Sequence, residues 1–410
     1  NNNNNNNNNN NRNDKSPNGK KKSRRNFKNG RTNGSYGHKK NNNSIGLSKS
    51  IRQRSISKGR NPIISLNMNL DSLAKSSAQS AGAARRAEQL LFRVEKLYAD
   101  GYYAQPPDVV SYNVVINCWS KSGDKKCAQH AERLLQRMEE LYGNGNEAVK
   151  PNTITYNSVL SAWARSPSKD ASLRALELLH LMQASSSSGD RDAAPNVRTY
   201  NLVIDVLVRC RDVARAEGLF RDMIGRSDDD NDDDAAGAER VTPNEYTYNA
   251  LLKAYARDKT GGSARKAKEL YDDMKRRDVV PDAYTYTNLV TAVANGDSPG
   301  AAFDAVTILQ RLLRAPSSPA NTTTKRAKVV TPNKYIFTAV INAFARRGDA
   351  AAARDIVSLM ERRSVTHADP SLRPDCVCYT ALLNAYARSP DKDGGERAEA
   401  LLRLMSEEEG

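Results

Sequence analysis

The sequence has little of the chemistry on which disulfide-bonded, membrane-spanning or metal-dependent proteins rely. Its 410 residues include five Cys, four His and two Trp, and no Cys-x-x-Cys or Gly-x-x-x-x-Gly-Lys motif occurs. The Cys residues have no regular spacing, which excludes a disulfide framework and favours a reducing compartment. Apolar runs are far shorter than the ~20 residues that cross a bilayer. We therefore predict no membrane insertion, no metal and no cofactor.

The positive charge is concentrated at the N-terminus. The formal net charge is +16, yet residues 1–62 hold 16 Lys and Arg against one acid, while the remaining residues hold 47 basic and 46 acidic groups. This segment opens with eleven Asn and has few aromatic or branched apolar residues, so burial cannot offset the entropy lost on folding. We predict that residues 1–65 form a disordered basic tail.

The tail has several interpretations. The cluster from Lys20 to Arg25 resembles a nuclear address or a nucleic-acid patch, but it also fits a solvated low-complexity segment. Its acid-poor, Ser- and Arg-rich character fits an organelle transit segment, although no amphipathic start is visible. The chain begins with Asn1 in place of Met, which indicates a fragment or a processed form.

One motif recurs through the rest of the chain. It consists of Pro, then Asn or Asp, then a few residues, an aromatic residue, and Asn or Thr, and its copies begin at Pro107, Pro151, Pro195, Pro243, Pro281, Pro332 and Pro374. The motif divides residues 109–375 into six units, which are 109–152, 153–196, 197–244, 245–282, 283–333 and 334–375. Residues 66–108 are predicted to form a partial repeat at the N-terminus, and residues 376–410 another at the C-terminus.

Each unit contains two helical patterns. The first places apolar residues at i, i+3, i+4 and i+7 from the aromatic residue, as in the series from Tyr112 to Trp119. The second starts at an Ala and usually ends in Met, as from Ala131 to Met138, and six of the seven Met fill this slot. Tandem helix pairs cannot bury their apolar faces alone, so they stack into a superhelical solenoid. The predicted fold class is an all-α solenoid of helix-turn-helix repeats.

These motifs resemble pentatricopeptide repeats. The matching strings are Tyr-Asn-x-(Val/Leu)-(Ile/Leu)-x-Ala, Ala-x-x-Leu-(Leu/Phe)-x-x-Met and Pro-(Asn/Asp), and they cover about residues 83–410. The resemblance implies a right-handed superhelix. The units here are longer than is usual in the family, with the surplus in loops such as Asp228–Asp234 and Pro316–Lys328. The related tetratricopeptide repeat is the alternative, but it has a different first-helix signature.

The resemblance implies binding of single-stranded RNA, with one base per repeat and successive repeats running 5′ to 3′ along the RNA. Two residues choose each base: the selector residue follows the first-helix aromatic, and the closing residue follows the next Pro. The implied pairs are Asn113/Asn152, Asn157/Asn196, Asn201/Asn244, Asn249/Asp282, Thr287/Asn333 and Thr338/Asp375, followed by Thr380 alone. A flanking residue, three before the selector residue, lies beside the base: Val110, Ile154, Arg198, Tyr246, Tyr284, Tyr335 or Val377.

The chemistry of these side chains indicates which bases they fit. A closing Asp only accepts hydrogen bonds, so it favours U or G, whereas a closing Asn also donates and suits C or A. A selector Asn fits the smaller pyrimidines, and a selector Thr leaves room for a purine. The predicted core site is 5′-YYYUAG-3′, where Y is a pyrimidine. Flanking Tyr residues can stack on bases.

We therefore predict a sequence-selective RNA-binding protein without enzymatic activity or a small-molecule substrate. Family precedent favours organellar RNA processing, stabilisation or translation in a chloroplast or mitochondrion. RNA-processing or editing enzymes acting in trans are candidate partners. A protein-interaction scaffold of the tetratricopeptide kind is the alternative. His130-Ala131-Glu132 matches half of a deaminase zinc signature, but its Pro-Cys-x-x-Cys half is missing.

Overall fold

Every regular element that the structure describes is helical. The computed structural model describes residues 62–76, 81–103, 105–228, 241–258, 262–296, 298–314, 330–366 and 369–408. These ranges hold the helices α1 (Pro62–Ser76), α2 (Ala81–Ala99), α3 (Val109–Lys121), α4 (Cys127–Gly143), α5 (Thr153–Arg165), α6 (Ala171–Ser187), α7 (Val197–Arg209), α8 (Val213–Asp228), α9 (Glu245–Arg257), α10 (Ser263–Arg276), α11 (Ala283–Ala294), α12 (Ala301–Arg314), α13 (Lys334–Arg347), α14 (Ala350–Thr366), α15 (Cys376–Arg388) and α16 (Gly394–Glu408). Within them, no helix has both the length and the apolar character needed to cross a bilayer.

The closing residues determine where the first helices begin. Each of α3, α5, α7, α9, α11, α13 and α15 starts directly after a closing residue, whose backbone is extended. The side-chain oxygen of that residue accepts a hydrogen bond from the backbone N–H of the third helical residue, here called the N3 residue. Asn244, for example, accepts from Thr247 at 3.2 Å. Such a cap contributes about 1 kcal/mol, so the Pro-(Asn/Asp) motif fixes each helix start.

The two predicted apolar stripes form the core. The aromatic residues Tyr112, Tyr200, Tyr248 and Phe337 are at most 1% exposed, and Met138, Met182, Met223, Met274 and Met360 are fully buried. Burying one such side chain contributes roughly 1.5–3 kcal/mol. The buried residues join into one continuous cluster from Leu66 to Leu401. The repeated stripes therefore serve packing, as the periodicity predicts.

The helices form two layers. Each odd-numbered helix contacts the next odd-numbered helix, so these first helices lie side by side in one layer. Each even-numbered second helix packs against the first helix of its own pair, and those from α2 to α14 also pack against that of the next pair. The predicted all-α solenoid of tandem helix pairs is confirmed for the described residues. The right-handed sense of its superhelix stays a prediction.

Hydrogen bonds from the buried tyrosines join successive pairs. The Tyr112 hydroxyl donates to Glu95 Oε2 at 3.2 Å, and the Tyr156 hydroxyl donates to Glu139 Oε1 at 3.3 Å. In both cases the acid lies on the preceding second helix. Tyr248 differs, because its hydroxyl donates to Asp273 Oδ2 at 2.8 Å within its own pair. The preceding insert, residues 229–240, lies outside the described residues, as do residues 315–329.

The N-terminal unit starts earlier than predicted. The boundary expected between residues 65 and 66 falls inside α1, which begins at Pro62 and pairs with α2. The sequence pattern hides this helix because Leu66 replaces the usual aromatic residue, although Leu66 and Leu70 are buried like their counterparts. The C-terminal unit also contains both helices, α15 and α16. The rest of the predicted tail, residues 1–61, lies outside the described residues.

Candidate nucleic-acid interface

Four residues of every first helix share one face. They are the flanking residue, the selector residue three later, and the residues four and eight positions beyond the selector, a spacing that keeps all four within one narrow arc of an α-helix. Because the first helices lie side by side in one layer, these faces adjoin. We call the resulting surface the reading strip.

The flanking residues are exposed although most are large and apolar. Six of them are between 49% and 67% exposed: Val110, Ile154, Tyr246, Tyr284, Tyr335 and Val377. The seventh, Arg198, is exposed as well. Scattered apolar side chains are ordinary on a protein surface, but a regular row of them on one face is typical of an interaction site.

The structure brings four of the six predicted pairs into direct hydrogen-bonding contact. The selector amide donates to the closing side chain from Asn157 Nδ2 to Asn196 Oδ1 at 3.5 Å, from Asn201 Nδ2 to Asn244 Oδ1 at 3.1 Å and from Asn249 Nδ2 to Asp282 Oδ1 at 3.3 Å. In the fourth pair, Asn333 Nδ2 donates to Thr287 Oγ1 at 3.3 Å. Residues 33 to 46 positions apart in sequence thus meet on the strip.

The other predicted selector residues have different partners. Asn113 makes no hydrogen bond to Asn152 among the described contacts, and its Oδ1 is buried without a partner. Thr338 Oγ1 donates to the Lys334 carbonyl at 2.8 Å and lies 3.2 Å from Cys378 Sγ. Its closing residue, Asp375, accepts from Lys334 Nζ at 3.0 Å.

Thr380, the last selector residue, stands without a predicted closing residue. Its Oγ1 donates to the Cys376 carbonyl at 2.6 Å. This is the bond to the carbonyl four residues back that Thr338 also makes, so the hydroxyl is held against its own helix.

One further pair of selector and closing residues was not predicted from the sequence. Asn67 Nδ2 on α1 donates to Asp108 Oδ1 at 3.3 Å, as the other selector amides do. Ile64, three residues before Asn67, is 55% exposed and occupies the flanking position. The signal was present, because Ile64-Ser-Leu-Asn67 parallels Val110-Ser-Tyr-Asn113 except for Leu in the aromatic slot.

A row of basic residues was also missed. The residue eight positions after the selector is Lys or Arg in seven of the eight first helices: Lys75, Lys121, Arg165, Arg209, Arg257, Arg346 and Arg388. Several of these donate to carbonyls at the end of the preceding first helix, as Arg165 does to Ser120 at 2.9 Å and Arg346 to Ala294 at 2.6 Å. Cations are favourable at that end of a helix dipole. The reading strip therefore has a positively charged edge.

The middle of the strip is polar. The residue four positions after the selector is polar in all eight first helices: Asp71, Asn117, Ser161, Asp205, Lys253, Thr291, Asn342 and Asn384. Lys253 Nζ lies 3.7 Å from Asp205 Oδ1, so adjacent helices also make charge contacts here.

The two C-terminal closing Asp residues are held in their ionised form. Burial by itself would raise the pKa of Asp282, but hydrogen bonds from Thr285 and Asn249 lower it below its usual range. Burial likewise opposes ionisation of Asp375, while the Lys334 ammonium and the Cys378 N–H lower its pKa. Both carboxylates therefore act only as acceptors at neutral pH.

The residues that match half of a deaminase signature take part in packing. The His130 ring stacks on Trp119 with centroids 3.8 Å apart and planes 2° from parallel. Glu132 Oε1 pairs with Arg174 Nη2 at 2.9 Å. Across the described ranges, no group of three or more His, Cys, Asp or Glu residues is placed to hold a metal ion.

The chain is similar to two solved structures of the protein PPR10. One is the pentatricopeptide repeat protein PPR10 in complex with an 18-nt psaJ RNA element, with 19% identity over 78% of this chain and 43% of that chain and a TM-score of 0.41. The other is PPR10 from maize, with 22% identity over 88% of this chain and 46% of that chain and a TM-score of 0.45. The chain spans less than half the length of these proteins. No curated protein matches the chain in sequence.

Sequence models of one repeat family match four stretches of the chain. They are described as pentatricopeptide repeat domain for residues 105–165, as PPR repeat for residues 198–227 and 335–365, and as PPR repeat family for residues 243–295. All four stretches lie on helices of the array, and the intervening helix pairs keep the same register of caps and buried stripes. These stretches of the chain are therefore pentatricopeptide repeats.

Proposed function

We propose that this protein binds single-stranded RNA in a sequence-selective manner, with one base at each first helix. The observation that carries the proposal is the convergence of selector and closing side chains on one strip, each beside an exposed flanking residue. Such a site combines a hydrogen-bonding edge with a surface on which a base stacks, and single-stranded RNA is recognised by these two contacts.

The seven selector and closing pairs define a candidate target. The pair found on α1, Asn67 with Asp108, has the same chemistry as Asn249 with Asp282 and favours U. Three pairs of Asn with Asn accept C or U, and the remaining pairs favour U, A and G in that order. We propose the site 5′-UYYYUAG-3′, one base longer at its 5′ end than the sequence pattern predicts.

The basic edge of the reading strip is suited to the RNA backbone. Lys and Arg side chains that neutralise phosphates release counterions, which adds affinity without sequence preference. Because the array itself is nearly neutral, with 47 basic and 46 acidic residues outside residues 1–62, local placement of these cations matters more than net charge. The base contacts then supply the selectivity.

The cellular role that fits best is organellar. We propose that the protein acts in RNA processing, stabilisation or translation in a chloroplast or mitochondrion, and that RNA-processing or editing enzymes join it in trans. Family resemblance and the basic, acid-poor N-terminal segment support this role. A fluorescent fusion of the full chain should accumulate in one of these organelles, and accumulation in the nucleus would contradict the proposal.

Selection of bound sequences from a random RNA pool tests RNA recognition directly. The expected result is enrichment of 5′-UYYYUAG-3′ over the input pool. If no sequence is enriched, the RNA proposal fails and the tetratricopeptide-like interaction scaffold becomes the better reading.

A single closing residue offers a sharper test. Asp375→Asn replaces an acceptor with a group that also donates, so the preferred base at Thr338 should move from G towards A. Asp369→Asn is the matched control, because Asp369 caps the short 3-10 helix Pro370–Leu372 and is neither a selector nor a closing residue. Binding of oligonucleotides that differ only at this base is measured by fluorescence anisotropy. An unchanged order of affinity in Asp375→Asn would show that the pair does not read this base.

A further inference from the structure

The residue at the N3 position of the next first helix varies with the selector residue. After each of the five Asn selectors it is Ser or Thr: Ser111, Thr155, Thr199, Thr247 and Thr285. After the selectors Thr287 and Thr338 it is Ile336 and Cys378, neither of which carries a hydroxyl. All seven N3 residues are fully buried beneath the reading strip. A hydroxyl therefore accompanies only the amide selectors.

Two of the hydroxyls bind the selector amide directly. Ser111 Oγ donates to Asn67 Oδ1 at 2.6 Å, and Thr247 Oγ1 donates to Asn201 Oδ1 at 2.6 Å. The Nδ2 atoms of the same amides donate to their closing residues. Each amide is thus held at both ends, with its oxygen towards the buried hydroxyl and one N–H remaining for another acceptor.

The Oδ1 atoms of the remaining Asn selectors also need a hydrogen-bond donor. The Oδ1 atoms of Asn113, Asn157 and Asn249 are buried, and none has a hydrogen-bond partner among the described residues. An acceptor left in that state is costly. Thr155, Thr199 and Thr285 occupy the repeat position from which Ser111 and Thr247 donate. Their hydroxyls donate to the closing residues Asn152, Asn196 and Asp282 at 3.1, 3.1 and 2.8 Å. We infer that rotation of the hydroxyl brings the same donor to the selector amide in these units.

The Thr selectors do not need a hydrogen-bond donor at N3. Thr287 Oγ1 donates to the Ala283 carbonyl at 2.7 Å, and Thr338 Oγ1 donates to the Lys334 carbonyl at 2.8 Å. A hydroxyl held by its own helix requires no buried donor from the next repeat. An apolar or thiol side chain at N3 then costs nothing at the selector.

We propose that the N3 hydroxyl is a positioning residue for pyrimidine selection. It turns the selector amide so that the oxygen faces the protein and an N–H faces the base, where the O2 atom shared by C and U accepts it. The closing residue then distinguishes C from U. This inference rests on the proposed RNA-binding function and adds a third residue to each base-reading unit.

A cycle of substitutions in the A-reading unit tests the proposal. The variants are Thr287→Asn, Ile336→Thr and the two combined, with Ile336→Val as the control for side-chain size. Each is measured by fluorescence anisotropy against 5′-UCCCUAG-3′ and the same RNA with C at the sixth base. The combined variant should favour C over A roughly tenfold more than Thr287→Asn alone, as one satisfied buried acceptor implies. Equal preferences in the single and combined variants would overturn the proposal.

The reverse test removes a hydroxyl that is present. Thr247→Val should lower the preference for C over A at the fourth base by roughly tenfold, while Thr247→Ser keeps it. The ratio of the two affinities is insensitive to lost stability, and melting curves confirm that both variants fold. If the wild type discriminates bases and Thr247→Val does so equally, the N3 inference alone fails. If the wild type discriminates at no base, the proposed function itself fails.

Discussion

The five N-terminal units and the following C-terminal units share one scaffold but differ at the reading strip. Each selector Asn is followed by a buried hydroxyl at the N3 position of the next first helix, and four of the five flanking residues in these units are Ile, Val or Arg. The selectors Thr287 and Thr338 are followed by Ile or Cys at that N3 position, and their flanking residue is Tyr. The apolar stripes beneath are the same in both regions. Base preference can therefore change through a few coupled side chains while the core stays intact.

The same difference alters the helix starts. Where N3 is Ser or Thr, the closing residue and the N3 side chain cap each other reciprocally, in α3, α5, α7, α9 and α11. In α13 and α15 the closing side chain caps the helix without the return bond. A selector Thr is thus coupled to a weaker start of the next first helix, because the buried N3 residue of that helix serves both its cap and the preceding selector.

The largest expected effect concerns the flanking residues. Tyr284→Ala and Tyr335→Ala should each weaken RNA binding by about 1–3 kcal/mol, because each removes an aromatic surface on which a base stacks. Val110→Ala and Ile154→Ala should cost less, since they remove smaller contacts. Affinities for 5′-UCCCUAG-3′ are compared by fluorescence anisotropy. Equal losses of affinity in all four variants would show that the flanking residues of the two regions contribute equally to binding.

Removing the caps should have a smaller effect, on stability. Asn244→Ala abolishes a reciprocal cap and Asn333→Ala a one-way cap, at about 0.5–2 kcal/mol each, with the larger loss at Asn244. Unfolding in urea measures both, and Asn384→Ala, an exposed substitution on the strip, serves as the control. A larger loss at Asn333 would contradict the difference between the regions.

A still smaller effect is expected from pH. The lowered pKa of Asp282 and of Asp375 means that each ionised carboxylate stabilises the fold above its unfolded pKa, near 3.9, and that this stability is lost as the pH falls through the lower folded value. Preference for U and G at these units should therefore stay constant from pH 8 to about pH 5. Asp282→Asn should flatten the acid end of a plot of melting temperature against pH. A change in base preference near pH 6 would show that a titratable group other than these two Asp residues controls it.

The smallest effect on selectivity is expected from deleting residues 1–61. The deletion removes 16 basic residues, so affinity for any RNA should fall and its salt dependence should become shallower. The preference among bases should stay the same in both regions. Measurements at two salt concentrations separate these outcomes, and altered base preference would assign a reading role to the tail.

Much of the fold could be predicted from the sequence because the information is local. The i, i+3, i+4, i+7 stripes determine helix faces, and the Asn or Asp after Pro determines where a helix starts. The pairs that meet on the strip were predicted from family resemblance, and hydrogen bonds join four of them. The aromatic motif did not reveal the first helix, because Leu66 lacks the ring that marks the others, although Ile64-Ser-Leu-Asn67 keeps the rest of the pattern. Its packing beside α3 identifies it.

The sequence by itself determined the helix pairs, their register and the polar residues that leave the core stripe, because each follows from spacing along one helix. Only the tertiary structure decided which side chains cooperate across repeats. Asn201 and Thr247 are 46 residues apart. Neither local pattern indicates that the Thr247 hydroxyl donates a hydrogen bond to the side-chain amide of Asn201. Such contacts depend on how adjacent first helices pack, and that packing is set by the whole array.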